Sequence, residues 1–326
     1  MSERRILVLS EADVAAVLPM PDVIEAVERG LRAQAQDKVV QPVRVAIRNS
    51  AGFFGSMPCS IDGIGLGAKL VTFFPDNAKH GLHTHNAIVA LLDPQTGVPS
   101  ALLDGRLITE MRTAATSAIA TKALARDDAS IAAMIGTGVQ ARSHIQALQT
   151  IGMLRELRVW GRTPENATRL ADWATGLGIK SSVAPTIKEA CSGAHVICTV
   201  TPSAIPIVEE TDVDPGTHVN AVGSSAPSMQ ELAPALVGKA RLFVDTVEGA
   251  KVESGDILAA IREGKLPAEP ELTRLCDVVV QPSSGRRSAD EITIFKSLGM
   301  ALEDVACAAV AVDRARSGNV GTELAI

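Results

Sequence analysis

The chain has 326 residues, 46% hydrophobic and 21% charged, with 31 Lys and Arg against 37 Asp and Glu for a formal net charge of -6. That composition excludes general disorder, which needs low hydrophobicity and high net charge, and the length suits about two domains. The acidic balance excludes a general nucleic-acid binder, and six Phe, two Trp and no Tyr leave few rings for a stacking platform. Five cysteines without a C-x-x-C pair argue against a disulfide framework or structural zinc and for a reducing, cytoplasmic setting. Glu11 and Asp13 interrupt the N-terminal apolar patch too early for a signal peptide. The longest uncharged stretch, residues 190–208, contains Gly193, Pro202 and Pro206 and makes a poor membrane span.

The first 37 residues read as two short helices. Ser10 and Asp13 form a capping box, Pro21 suits a first helical turn, and Ile24, Val27 and Leu31 share a face. Alternation over residues 43–48 predicts a half-buried strand, with further strands over 66–74 and 87–93. Asp93-Pro94-Gln95-Thr96-Gly97 is a turn into a strand over 98–103. From about residue 126 strands and helices alternate: strand 130–135, helix 142–151, strand 157–160 and helix 164–177. Short buried strands follow at 196–200, 218–222, 242–245 and 278–280, and residues 292–316 read as one long apolar helix returning to the first domain. Such alternation is the mark of a parallel sheet covered by helices. The fold class is therefore α/β: a Rossmann-type doubly wound parallel sheet over residues 123–299, plus a mixed α+β domain of residues 1–122 and 300–326.

Gly136, Thr137, Gly138, Val139, Gln140 and Ala141 fit the dinucleotide fingerprint G-x-G-x-x-A between a strand and a helix. The first glycine allows a tight turn, and the second lets a pyrophosphate approach the backbone at the helix N-terminus. The small third residue allows helix and strand to pack closely. The next strand ends in Arg162 and Thr163, with no acid until Glu165. That pair suits the extra phosphate of NADP(H), with NAD(H) possible if Arg162 is only a solvated surface charge. Thr199 and Thr201 end the fourth strand of this domain, and Val222 and Ser224 the next, where loops approach a cofactor.

Several strings then occur in an order that resembles the ornithine cyclodeaminase/mu-crystallin family over essentially the whole length. They are GAKLVTFF (67–74), T-x-x-RTAA (109–115), the GTGVQA loop, NAVG (220–223) and DEIT-x-FKS-x-G (290–299). The resemblance implies a homodimer with a dinucleotide-binding domain and a substrate and dimerisation domain, acting on small α-amino or α-imino acids. It also implies that Arg44, Lys69 and Arg112 contact the substrate carboxylate, which an arginine fork binds bidentately. By spacing alone Arg44 is equally an exposed edge charge, whereas Lys69 lies in an apolar strand where an ammonium needs a partner. Arg112 and Thr113 open a helix read over 113–124, so Arg112 and that N-terminus are expected to share one anion, cofactor included. Thr84 and His85 match a family position near the nicotinamide. His80, His83 and His85 also invite a metal reading, but no carboxylate or cysteine pattern completes a site, and no metal is assigned.

Ornithine cyclodeaminases carry an aspartate where this chain has Ser225, whereas the ketimine-reductase-like members resemble it in having serine. Cyclodeamination needs a base near the amino group; reduction of a ready-made imine does not. The expectation is an NAD(P)H-dependent reduction of a cyclic ketimine carboxylate to L-proline or L-pipecolate, with Lys69 and Ser225 as catalytic residues. Ornithine cyclodeaminase, alanine dehydrogenase and a binding protein without turnover are the alternatives; for cyclodeamination, Ser225 would only make a turn and a different acid would supply the base.

Overall fold

The protein is described by a computed structural model covering residues 5–325. The chain opens with β1 (Arg5–Leu9), α1 (Glu11–Val17) and α2 (Met20–Ala35). It continues through β2 (Val39–Val40), β3 (Val45–Arg48), β4 (Phe53–Ile61), β5 (Gly65–Phe73), β6 (His85–Leu92), β7 (Pro99–Asp104) and α3 (Arg106–Leu124). Next come β8 (Ile131–Ile135), α4 (Val139–Thr150), β9 (Glu156–Trp160), α5 (Pro164–Gly176), β10 (Lys180–Val183), α6 (Ile187–Cys191), β11 (Val196–Thr199) and β12 (His218–Ala221). They are followed by α7 (Pro234–Lys239), β13 (Arg241–Val244), α8 (Val247–Glu253), α9 (Gly255–Arg262), β14 (Leu272–Arg274), α10 (Leu275–Val280) and β15 (Thr293–Lys296). The last elements are α11 (Ala301–Gly318) and β16 (Thr322–Ala325).

Two compact units result. One runs to Thr113 and resumes at Gly299; the other is Ala114–Leu298. The first division falls inside α3, nine residues before the 122/123 boundary expected from the sequence. In the first unit a mixed sheet has the order β16-β1-β7-β6-β5-β4-β2, with β3 paired to β4. Residues along β4 and β5 alternate in burial, so one face of the sheet is covered. The cover is α11, which packs on β4, β5 and α2. Ser10 and Asp13 form the expected capping box at the start of α1.

In the second unit the sheet order is β10-β9-β8-β11-β12-β15-β13-β14, and every pairing is parallel. Strands β11, β12 and β15 are buried at every position, as a sheet covered on both faces requires. Phe243 and Phe295 are paired across β13 and β15 and fully buried, a burial that stabilises by about 2–3 kcal/mol for each ring. The strand order reverses beside β8, with β9 on one side and β11 on the other. That is where doubly wound sheets open a crevice for ligands.

Several expectations are corrected. The first 37 residues contain β1 as well as the two helices, because RILVL is held between β7 and β16. Strand β3 is exposed at all four positions, not half-buried, because it lies at the sheet margin on β4 alone. Residues 278–280 end helix α10 although β-branched, since β14 already occupies the sheet edge there. The 292–316 segment splits into β15 and α11, broken at Gly299 with φ +81°. Helix α3 begins at Arg106, where the Asp104 carboxylate accepts the Arg106 and Leu107 amides. Arg112 and Thr113 therefore stand in its interior, so Arg112 does not share an anion with a helix N-terminus.

Candidate functional site

Lys69 is the fifth residue of β5, with Met57 and Val89 as its register neighbours. Its side chain points to the α11-covered face and is 1% exposed. An ammonium so placed needs a partner, and the Asp304 carboxylate of α11 lies 2.7 Å from Nζ. The same carboxylate accepts Arg112 Nε at 3.1 Å, while Arg112 Nη1 donates to Glu303. Both acids are fully buried. The acids occupy the first turn of α11, where the helix dipole favours negative charge. Arg44, in the segment before β3, donates to the Gly299 carbonyl at 3.3 Å. A side chain at Gly299 would start 2.4 Å from Arg112 Nη1, so both its left-handed φ and this close approach require glycine.

The first unit thus brings together Arg44, Lys69 and Arg112, three cations against the two carboxylates of Glu303 and Asp304. Burial pushes the Lys69 pKa down to about 8, with the Arg112 charge adding to the effect and Asp304 opposing it. His85, half-buried at the start of β6, is pushed down to about 4 by burial and then by Lys69 and Arg112, so it is neutral at pH 7. Thr84 is half-buried beside it, and its carbonyl accepts the Phe74 amide. The Thr113 hydroxyl is committed to the Thr109 carbonyl within α3. His80 and His83 are exposed and lie outside β6, so they do not share a strand face with His85.

In the second unit the glycine loop joins β8 to α4. Gly136 has φ +121°, and a Cβ there would meet Val200 at 2.9 Å. At Gly138, the N-cap of α4, a Cβ would meet nothing within 4 Å, and no side chain caps the helix. Open space in front of uncapped amides, with Ala141 fully buried behind them, fits a pyrophosphate. Thr137, Val139 and Gln140 complete that turn, with Val139 exposed. Arg162 and Thr163 are exposed after β9, with no acid at either position. Thr199, Thr201, Val222 and Ser224 lie at or just beyond the C-terminal ends of β11 and β12, and Ser225 is exposed after them.

Sequence reasoning missed Glu303 and Asp304. Their signal was an acidic pair inside an otherwise apolar helix, hidden when 292–316 was read as one element. It also assigned nothing to Glu231, Asp256 and Lys296, which are buried together in the second unit.

Residues 4–319 match the family model described as ornithine cyclodeaminase/mu-crystallin family. Among the relatives is the ketimine reductase mu-crystallin of Rattus norvegicus, 40% identical over 285 residues, 86% of this chain and 87% of that protein. A solved structure of Thermococcus litoralis Δ1-pyrroline-2-carboxylate reductase, in complex with NADH and L-proline, is 36% identical with a TM-score of 0.93, covering 97% of this chain and 99% of that one. An archaeal alanine dehydrogenase dimer with bound NAD is 34% identical, also with a TM-score of 0.93, covering 98% and 99%.

Proposed function

The chain belongs to the ornithine cyclodeaminase/mu-crystallin family and is an NAD(P)-dependent oxidoreductase acting on C=N/CH–NH bonds; within that class we propose that it reduces a cyclic ketimine carboxylate. The substrates are Δ1-pyrroline-2-carboxylate and Δ1-piperideine-2-carboxylate, and the products L-proline and L-pipecolate, a place in proline metabolism. The carrying observation is the convergence of Arg44, Lys69 and Arg112 around the first turn of α11, three cationic side chains of the kind that receive a substrate carboxylate. Arg44 and Arg112 supply the forked donors and Lys69 the ammonium, which also polarises the imine region. Fixed donors and charges facing the reacting group are the main catalytic contribution.

The dinucleotide, when bound, supplies the hydride that reaches the C=N carbon. Gly136, Thr137, Gly138, Val139, Gln140 and Ala141 hold its pyrophosphate, and Thr201 and Val222 line the half beyond the strand reversal, with Thr199 and Ser224 buried behind them. Arg162 and Thr163 favour NADPH over NADH, because an exposed guanidinium with no neighbouring acid suits a 2′-phosphate. Ser225 hydrogen-bonds near the imine nitrogen, which needs no strong base if it is already protonated.

A homodimer in the cytoplasm completes the reading. The strand region of the first unit exposes Val40, Val45, Ile47 and Phe73, an apolar surface for a second copy, and one structural relative is itself a dimer. Among the described residues no helix is long and apolar enough to cross a membrane. All five cysteines are free, as suits a reducing compartment.

The test follows NADPH oxidation spectroscopically with each cyclic imine, beside pyruvate plus ammonia, and NAD-linked oxidation of ornithine. Turnover of a cyclic imine alone supports the proposal. Turnover of ornithine with silence on the imines, or of pyruvate and ammonia alone, overturns it.

A further inference from the structure

The Glu231 side chain is fully buried between the ends of β11 and β12. One carboxylate oxygen accepts the Thr201 amide at 2.6 Å and the Thr201 hydroxyl at 2.8 Å. The other accepts the Thr199 hydroxyl at 2.9 Å, the Gly223 amide at 2.7 Å and the Ser224 amide at 3.2 Å. Two strand ends converge on one side chain, which pairs the Thr201 and Ser224 amides and shares the Gly223 amide with the Thr199 carbonyl. The approach is close: a Cβ on Gly223 would lie 2.0 Å from the Thr201 carbonyl oxygen.

Glu231 is held in turn. Its own amide donates to Asp256 at 2.8 Å, and the other Asp256 oxygen accepts the Ser224 hydroxyl and Lys296 Nζ, each at 3.0 Å. Lys296 and Asp256 are both 2% exposed or less. Nothing in the imine chemistry uses this network, yet it sits under the segment that faces the glycine loop, since Val200 is what a Cβ on Gly136 would strike. In a doubly wound fold the adenosine half of a dinucleotide lies on the β9 side of the strand reversal, which leaves the nicotinamide half to β11 and β12.

We propose that Glu231 is a positioning residue for the dinucleotide: it clamps residues 199–201 and 223–224 in the arrangement that receives the nicotinamide half. Thr199 is fully buried with its hydroxyl on Glu231, so it acts through the clamp and not by touching the ligand. The inference rests on the dinucleotide-binding part of the reading above and is independent of the imine assignment.

The experiment measures NADPH and NADH affinity of the full-length protein by fluorescence titration without substrate, then the Michaelis constants for dinucleotide and imine separately. Glu231→Gln presents an NH2 group to one set of donors whichever way the amide turns. It is expected to weaken dinucleotide binding about 10-fold or more, while the imine constant changes less than about two-fold. Thr199→Val removes one donor without changing shape and is expected to weaken dinucleotide binding several-fold. Thr199→Ser restores the hydroxyl and the affinity, and this pair decides the matter if Glu231→Gln does not fold. Wild-type affinity in Thr199→Val, equal increases in both Michaelis constants, or a wild-type protein that binds neither dinucleotide overturns the proposal. A wild-type protein that binds dinucleotide but reduces no cyclic imine counts against the substrate assignment alone.

Discussion

Asp304 lies 2.7 Å from Lys69 and also accepts Arg112, so one buried carboxylate on α11 holds both cations. Buried pairs of this kind are not an economical source of stability, because desolvation offsets much of the attraction. Removing one member is costly all the same. Asp304→Asn is expected to destabilise the protein by about 3–5 kcal/mol, read as a lower denaturation midpoint. An unchanged midpoint would mean that the cluster relaxes around a neutral residue.

Lys69→Ala removes the ammonium proposed to meet the substrate carboxylate. Turnover of the cyclic imine is expected to fall to about 1% of wild type, a loss of roughly 3 kcal/mol, while NADPH still binds. A rate close to wild type would remove Lys69 from the site.

Lys69 has its pKa pushed down to about 8 by burial. The specificity constant for an imine carboxylate is therefore expected to decline as pH rises through about 8, as the ammonium is lost. Stability moves the other way. Between about 8 and the ordinary value of 10.5 the unfolded chain binds the extra proton, so this group makes the fold more stable as pH rises across that window. A pH–rate profile that stays flat through the same window would argue that Lys69 is not the group in contact.

Acid acts through buried histidines. His144, between the Gln140 carbonyl and the Ser117 hydroxyl, is pushed down to about 4 by burial, and His218 to about 3. Their folded pKa lies below the ordinary 6.5, so the unfolded chain binds more protons once pH falls below that value. Stability is expected to drop from pH 6.5 towards pH 4, by on the order of 3 kcal/mol for each fully buried ring. Thermal melts across that range check it, and a constant midpoint would contradict it.

Gly299→Ala places a methyl against the Arg112 guanidinium and forces a left-handed residue to carry a Cβ. The expected cost is about 1–3 kcal/mol, together with a higher Michaelis constant for the imine. Arg162→Ala is expected to raise the NADPH constant about 3- to 10-fold and to leave NADH alone. Equal effects on both dinucleotides would assign Arg162 to the surface.

The pattern of residues was enough for strands β8, β9, β11, β12 and β13 of the parallel-sheet unit, but not for β10, β14 and β15. The first five are short apolar runs separated by helical periods, and Gly136 and Gly138 stand where a tight turn and an open helix start are needed. It failed where tertiary context outvotes local preference. Residues 278–280 are β-branched yet helical. Strand β15 is followed by α11 after only four residues, 297–300, and the break is marked by left-handed Gly299 alone.

Sequence by itself determined the family, the dinucleotide fingerprint and the need for Lys69 to find a partner, because each depends on residue type and near spacing. It did not determine what that partner is. Asp304 stands 192 residues from Arg112 along the chain, and Glu231 meets Thr199 and Gly223 only after two parallel strands are laid side by side. Charge neutralisation inside a core is a long-range property. It is decided by which helix covers which strand, and no periodicity along one segment carries that information.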